Sequence, residues 1–117
     1  MAKHNQTGKT GEELAAEYLI ARGYIIRDIN WKNGKLELDI VAYKDQTLIV
    51  VEVKTRSSDL FGHPEDAVNT RKIRHIIDAT DTYIQKYDLP FEVRFDIISI
   101  VKSNIFRMLF ILRYYKT

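Results

Sequence analysis

Two apolar strands flank Lys44-Asp45-Gln46, and each carries charge along one of its faces; no other feature so narrows what this chain can fold into. From Leu36 to Tyr43 the side chains alternate, with Leu36, Leu38, Ile40 and Ala42 on one face and Glu37, Asp39, Val41 and Tyr43 on the other. From Thr47 to Thr55, Ile49, Val51 and Val53 oppose Leu48, Val50, Glu52 and Lys54. A hairpin turning about Asp45 and Gln46 pairs residue 44 with 47 and 43 with 48. Continued, that register sets Asp39 across from Glu52 and Glu37 across from Lys54, all four on one face. Directly opposed residues have Cβ atoms about 4.5–5.5 Å apart, so two carboxylates there repel unless something neutralises them. A slip of one residue would separate the groups.

Charge inside Ile49-Val50-Val51-Glu52-Val53-Lys54 needs a partner, because burying an unpaired ion is costly. Two partners fit. One is a plain ion pair, Glu37–Lys54 or Glu52–Lys54. The other is a divalent cation such as Mg²⁺, which prefers hard oxygen ligands; a lysine two residues beyond a ligand then faces a phosphate or an attacking water. Each of these residues alone reads more simply as solvated charge on a sheet face. As a set within strongly apolar strands, they read as a site.

The rest of the chain supplies an α/β frame. Thr10-Gly11-Glu12-Glu13 is a capping box opening a helix near Gly11 to Arg22. Leu14, Ala15, Tyr18 and Leu19 form its apolar stripe, Gly23 suits its left-handed end, and Glu12 borders the buried face beside Ala16 and Leu19. Tyr24 to Trp31 is a strand by composition, and Lys32-Asn33-Gly34-Lys35 a turn. After a loop from Ser57 to Pro64, Ile73, Ile76, Ile77, Thr80, Tyr83, Ile84 and Tyr87 keep helical spacing, and Leu89-Pro90 ends the helix. Glu92 to Val101 and Phe106 to Tyr114 read as strands. Helices and strands in this order make an α/β or α+β sheet with helices packed on it.

Length and composition exclude other classes. A chain of 117 residues forms one domain, residues 1–117. No cysteine means no disulfide framework, thiolate metal site or cysteine nucleophile. The N-terminus shows no apolar signal segment, and the apolar run from Ile105 to Tyr115 is shorter than the ~20 residues of a membrane helix. A soluble cytoplasmic protein is the expectation. The net charge of +2 says little by itself. Arg71-Lys72-Arg74 and Lys54-Arg56 are basic clusters that suit phosphates, although solvated surface charge is the more common reading for clusters of this size. His4, His63 and His75 lack metal-ligand spacing, and no phosphate-binding glycine loop occurs.

Several ordered motifs resemble one known family: GKTGEELAAEYL, GYIIRDINW, ELDIVA, VVEVKTRSS, FGHPEDAV, Lys72 with its helix, and RFDIISI. Together they cover Gly8 to about Ile100 and resemble the YraN family of small bacterial proteins. That family is related to the PD-(D/E)XK nucleases and to archaeal Holliday-junction resolvases. The resemblance implies a restriction-endonuclease-like α/β fold, a central mixed sheet of about five strands flanked by helices. It carries the family's helix-one acid onto Glu12, its strand acid onto Asp39, and its E-x-K onto Glu52 and Lys54. Glu37 matches a further acid. Leu36 stands where the family usually has glycine, and Leu38 where the superfamily nominally has proline; neither change removes a ligand.

The function expected is a metal-dependent endonuclease acting on DNA, including branched or junction DNA. Asp39, Glu52 and Glu12 would hold Mg²⁺ or Mn²⁺, Lys54 would serve the reacting phosphate, and Arg56, Lys72, Arg71 and Arg74 would contact nucleic acid. Lys72, on the border of its helix's buried face, suits reaching the site or a phosphate and equally suits covering apolar surface with its stem; Asp96 is expected to be structural. The alternative is a non-catalytic nucleic-acid-binding module of the same fold. A third possibility is an interaction domain. The segment from Ile105 to Leu112 is apolar on both strand faces, so a homodimer through the C-terminal strand is also expected.

Overall fold

Local signals in the sequence set most of the element boundaries. A computed structural model describes residues 8–56, 69–89, 92–101 and 104–114, with Arg56 and the last segment described by backbone alone. Thr10 caps α1 (Gly11–Ile20), its Oγ1 accepting from the Glu13 N–H at 3.1 Å. Then come β1 (Ile25–Asn33), β2 (Leu36–Lys44) and β3 (Thr47–Arg56). α2 (Thr70–Tyr87) starts at Asn69, whose Oδ1 accepts from the Lys72 N–H at 2.9 Å. It ends at Asp88 in left-handed conformation, where the Leu89 N–H returns to the Ile84 carbonyl at 3.1 Å. β4 (Glu92–Val101) and β5 (Asn104–Tyr114) follow.

The five strands lie in the order β1-β2-β3-β4-β5. β3 and β4 are parallel and the other neighbours antiparallel. Parallel neighbours cannot be joined by a tight turn, and α2 lies within the connection between them. Asp45 (φ 51°) and Gln46 (φ 60°) are both left-handed, as a two-residue type I′ turn requires. That turn sets the register the sequence predicts, from Lys44 opposite Thr47 to Ile40 opposite Val51.

The sheet separates two cores. On one face Ala15, Ala16 and Leu19 of α1 bury against Ile40, Ala42, Ile49, Val51, Val53, Ile98 and Ile100. On the other, Ala79, Tyr83 and Ile84 of α2 bury against Val41, Leu48, Val50, Val93 and Phe95. Leu19 is fully buried, and truncating such a leucine to alanine costs about 2–5 kcal/mol. Gly11 lets α1 approach β3 closely, since a Cβ there would collide with Thr55 Oγ1.

β1 carries a bulge between Ile26 and Asp28. Consecutive residues of a regular strand point to opposite faces; the bulge lets Arg27 and Asp28 both reach the Tyr83 hydroxyl. Tyr83 donates to Asp28 Oδ2 at 2.6 Å and accepts from Arg27 Nε at 3.1 Å. Burial and the Asp28 carboxylate push its hydroxyl up to about 12.

This is the mixed α/β architecture expected, a central five-stranded sheet with a helix on each face, compatible with a restriction-endonuclease-like fold. No helix among the described residues is long and apolar enough to cross a membrane. β5 is a terminal strand of the sheet. The side chains behind the dimer expectation, the Ser57–Pro64 loop, His4 and His63 lie outside the described residues.

Candidate functional site

The β2–β3 ladder runs as the sequence predicts up to Ile40 and Val51, and there it ends. Asp39 and Glu52 are therefore not a ladder pair, which corrects the sequence-based register at its last step. In place of a backbone carbonyl, Asp39 Oδ2 accepts the Val53 N–H at 2.8 Å. The acid thus occupies the opening between two parting strands. β2 remains paired with β1 on its other side, through Trp31 with Leu38 and Lys32 with Glu37. Glu37 is consequently exposed beside Lys32 in the ladder, not opposite Lys54.

Glu52 and Lys54 continue the β3 row of Leu48 and Val50, on the α2 face. Lys54 Nζ lies 3.3 Å from Glu52 Oε1, so one of the two ion pairs considered from sequence is formed. Lys72, in the first turn of α2, lies closer, with Nζ 2.6 Å from the same oxygen. The Glu52 side chain is only 13% exposed. An exposed ion pair stabilises by about 0.2–1 kcal/mol; removing a partner from one this buried costs more. Burial works against the Lys72 charge, but the hydrogen bond and charge of Glu52, helped by Asp39, outweigh it and hold the ammonium above its usual pKa.

Asp39 is the perturbed group of the site. Burial, then the neighbouring Glu52 charge, raise its carboxyl to about 7. The Val53 N–H works the other way, Glu12 raises it further, and Lys72 lowers it. Glu12 comes from α1, on the other face of the sheet, yet its charge is felt at Asp39. Asp39, Glu52, Lys54 and Glu12 therefore belong to one electrostatic cluster, and α2 adds Lys72 to it. Carboxylate oxygens of this kind suit a hard divalent cation. As they stand, no three acidic or imidazole groups among the described residues are close enough to hold a metal.

Such an assembly of carboxylates and lysines at the end of a mixed sheet can be compared with known proteins. The model of the uncharacterised protein family UPF0102 matches residues 11–100. The chain belongs to this family. A UPF0102 protein of Phocaeicola vulgatus is 58% identical over 101 residues, covering 86% of this chain and 84% of the relative. One of Bacteroides thetaiotaomicron is 49% identical over 104 residues, covering 89% and 86%. The family assignment agrees with the YraN resemblance of the motifs, and every residue of the cluster lies within the matched span.

The remaining basic residues in this UPF0102 chain are divided between surfaces. Arg71 and Arg74 leave the cluster and line an open groove of about 420 Å³ on α2 with Thr70, His75 and Asp78. The Arg56 side chain lies outside the described residues. Asp96 is held within the sheet: Arg94 donates to it through Nε and Nη2, both at 2.9 Å, and through Nη2 to the Tyr24 hydroxyl at 2.8 Å. The Arg94–Tyr24 link is missed from sequence, although a charge pair two apart in an apolar strand signals that a partner is needed. Lys72 reaches the site, one of the roles its sequence position left open, and its partner there is Glu52. The sequence signal is the position of Lys72 on the border of the helix's buried face.

Proposed function

We propose that the protein is a metal-dependent endonuclease that hydrolyses phosphodiester bonds in DNA, with branched or junction DNA as its preferred form. The observation that carries this reading is the gathering of Asp39, Glu52 and Lys54 at the point where β2 and β3 part, with the Glu12 charge in α1 also acting on Asp39. An acid raised to about 7 by its burial and its acidic neighbours is short of positive charge, and perturbed groups of this kind cluster at functional sites. Asp39 and Glu52 would hold Mg²⁺ or Mn²⁺, with Glu12 completing the set. The ion would supply a water of lowered pKa and charge stabilisation at the phosphate. Lys54 would orient that water or neutralise the negative charge growing on the phosphoryl oxygens. Arg56, Arg71 and Arg74 position the backbone through phosphate contacts, which carry shape rather than sequence.

One observation favours a second reading, a nucleic-acid-binding module without turnover. Glu52 already has two ammonium partners, and its own charge needs no metal. Incubating the protein with duplex, single-stranded and four-way-junction DNA, with and without Mg²⁺ or Mn²⁺, separates the two. Cleavage only with metal, fastest on the junction, is expected. Binding without cleavage under every condition would replace the first reading by the second.

A further inference from the structure

Both lysines of the cluster act on one oxygen. Lys54 Nζ and Lys72 Nζ lie 3.3 and 2.6 Å from Glu52 Oε1. They reach it from different places. Lys54 stands on the strand two residues from Glu52 and is 24% exposed, whereas Lys72 comes from α2, on the same four-carbon stem, and is 36% exposed. A divalent cation shared by Asp39 and Glu52 would bring two positive charges to the place where Lys72 now brings one. Three cations on a single carboxylate repel one another, and the more exposed lysine, which comes from a separate element, gives way. Its ammonium would then sit unpaired at the rim of a site that receives a polyanion.

We propose that Lys72 is a built-in counter-ion for Glu52, displaced when a divalent cation binds and then free to take a phosphate of the DNA, so that metal and DNA bind cooperatively. The proposal rests on the metal-dependent reading of the same cluster. It adds an order to it: Lys72 competes with the metal in the free protein and assists the nucleic acid in the metal-loaded one. Coupling of this kind is reciprocal, so DNA must also tighten the metal.

The test reads binding rather than turnover. Mn²⁺ is titrated into the DNA-free protein, and free ion is followed by electron paramagnetic resonance. Lys72→Met is expected to bind Mn²⁺ more tightly than the parent, on the order of tenfold, while Lys72→Arg, which keeps the charge, does not. A labelled phosphorothioate duplex is then titrated at matched ionic strength with EDTA or Mn²⁺. The parent should gain affinity on adding Mn²⁺, and Lys72→Met should lose that gain. Melting in EDTA verifies that each variant is folded, and Lys72→Gln replaces the methionine variant if it is not. Equal Mn²⁺ affinity in parent and Lys72→Met overturns the proposal and leaves the metal site standing. Tighter Mn²⁺ binding with the DNA gain retained overturns the transfer to phosphate. No Mn²⁺ binding by any form overturns this proposal and the nuclease reading together.

Discussion

Asp96 and Asp39 are both carboxylates set into an apolar sheet, and their surroundings treat them in opposite ways. The Asp96 side chain is fully buried, and Arg94 grips both its oxygens. Its hydrogen bonds, ahead of the cost of burial, hold the Arg94 guanidinium above its ordinary pKa. Tyr24 occupies another donor of the same guanidinium. Asp39 has the Val53 N–H and stands near the Glu52 and Glu12 charges, which raise its pKa, while Lys72 lowers it. The paired acid fixes the Arg94 guanidinium within β4, and through Tyr24 that guanidinium ties β4 to the chain ahead of β1. An under-compensated acid lowers the stability of the folded chain, and such a group is expected where a ligand supplies the missing charge.

The sharpest way to break this comparison is to remove the charge of Asp39. Asp39→Asn should reduce metal-dependent cleavage at least about a hundredfold, the scale on which one transition-state contact acts. Circular dichroism should show the fold unchanged, because the amide oxygen can still accept from the Val53 N–H. Cleavage at the parental rate would remove Asp39 from the site.

The next effect should come from the paired acid. Arg94→Met leaves Asp96 buried beside an apolar side chain, at a cost of about 3–5 kcal/mol in urea unfolding. Adding Asp96→Leu should recover most of that loss, since an apolar pair can replace a buried ion pair. If Arg94→Met unfolds no more easily than the parent, the pair does not hold β4 as described.

The metal-free Asp39→Asn protein should also move in the opposite direction from Arg94→Met. The Asp39 carboxyl titrates at about 7 in the folded protein, against 3.8 for an aspartate free of such surroundings, as in the unfolded chain. Its protonation therefore favours the folded form: that stabilisation is complete below about 3.8 and is lost as pH rises through about 7. A side chain that cannot ionise avoids the loss. Asp39→Asn should accordingly be more stable than the parent by about 1–2 kcal/mol at pH 8 in EDTA, allowing for partial solvent screening. The advantage should shrink towards pH 4, and melting curves at both pH values decide it. A variant less stable at pH 8 would show that Asp39 is compensated after all.

The smallest effect should lie on α2, away from both acids. Binding to duplex DNA should weaken steeply with salt, as counterions leave the phosphates. Arg71→Gln and Arg74→Gln should each lower the slope of log affinity against log salt by about 1. Unchanged slopes would make the groove they line a solvated surface.

Periodicity and turn chemistry made much of this molecule readable from its residues. The β2–β3 register follows from alternation on both sides of a two-residue turn, and holds from Lys44 to Ile40. Thr10 announces α1 and Leu89-Pro90 the end of α2, because caps and breakers act within a few residues. The Glu52–Lys54 pair is likewise local, two residues apart on one face. Tertiary structure decided the rest. The ladder opens at Asp39, because a side chain there takes the hydrogen bond that a strand would otherwise have received. Lys72 meets Glu52 across twenty positions of sequence, because the parallel pairing of β3 with β4 brings α2 back over the sheet. Arg94 meets Tyr24 across seventy positions. Spacing within an element fixes which residues share a face only while the strand stays regular: Leu38, expected beside Ile40, packs in the α2 core while Ile40 packs in the α1 core. Contacts between distant elements depend on how the connecting chain crosses the sheet.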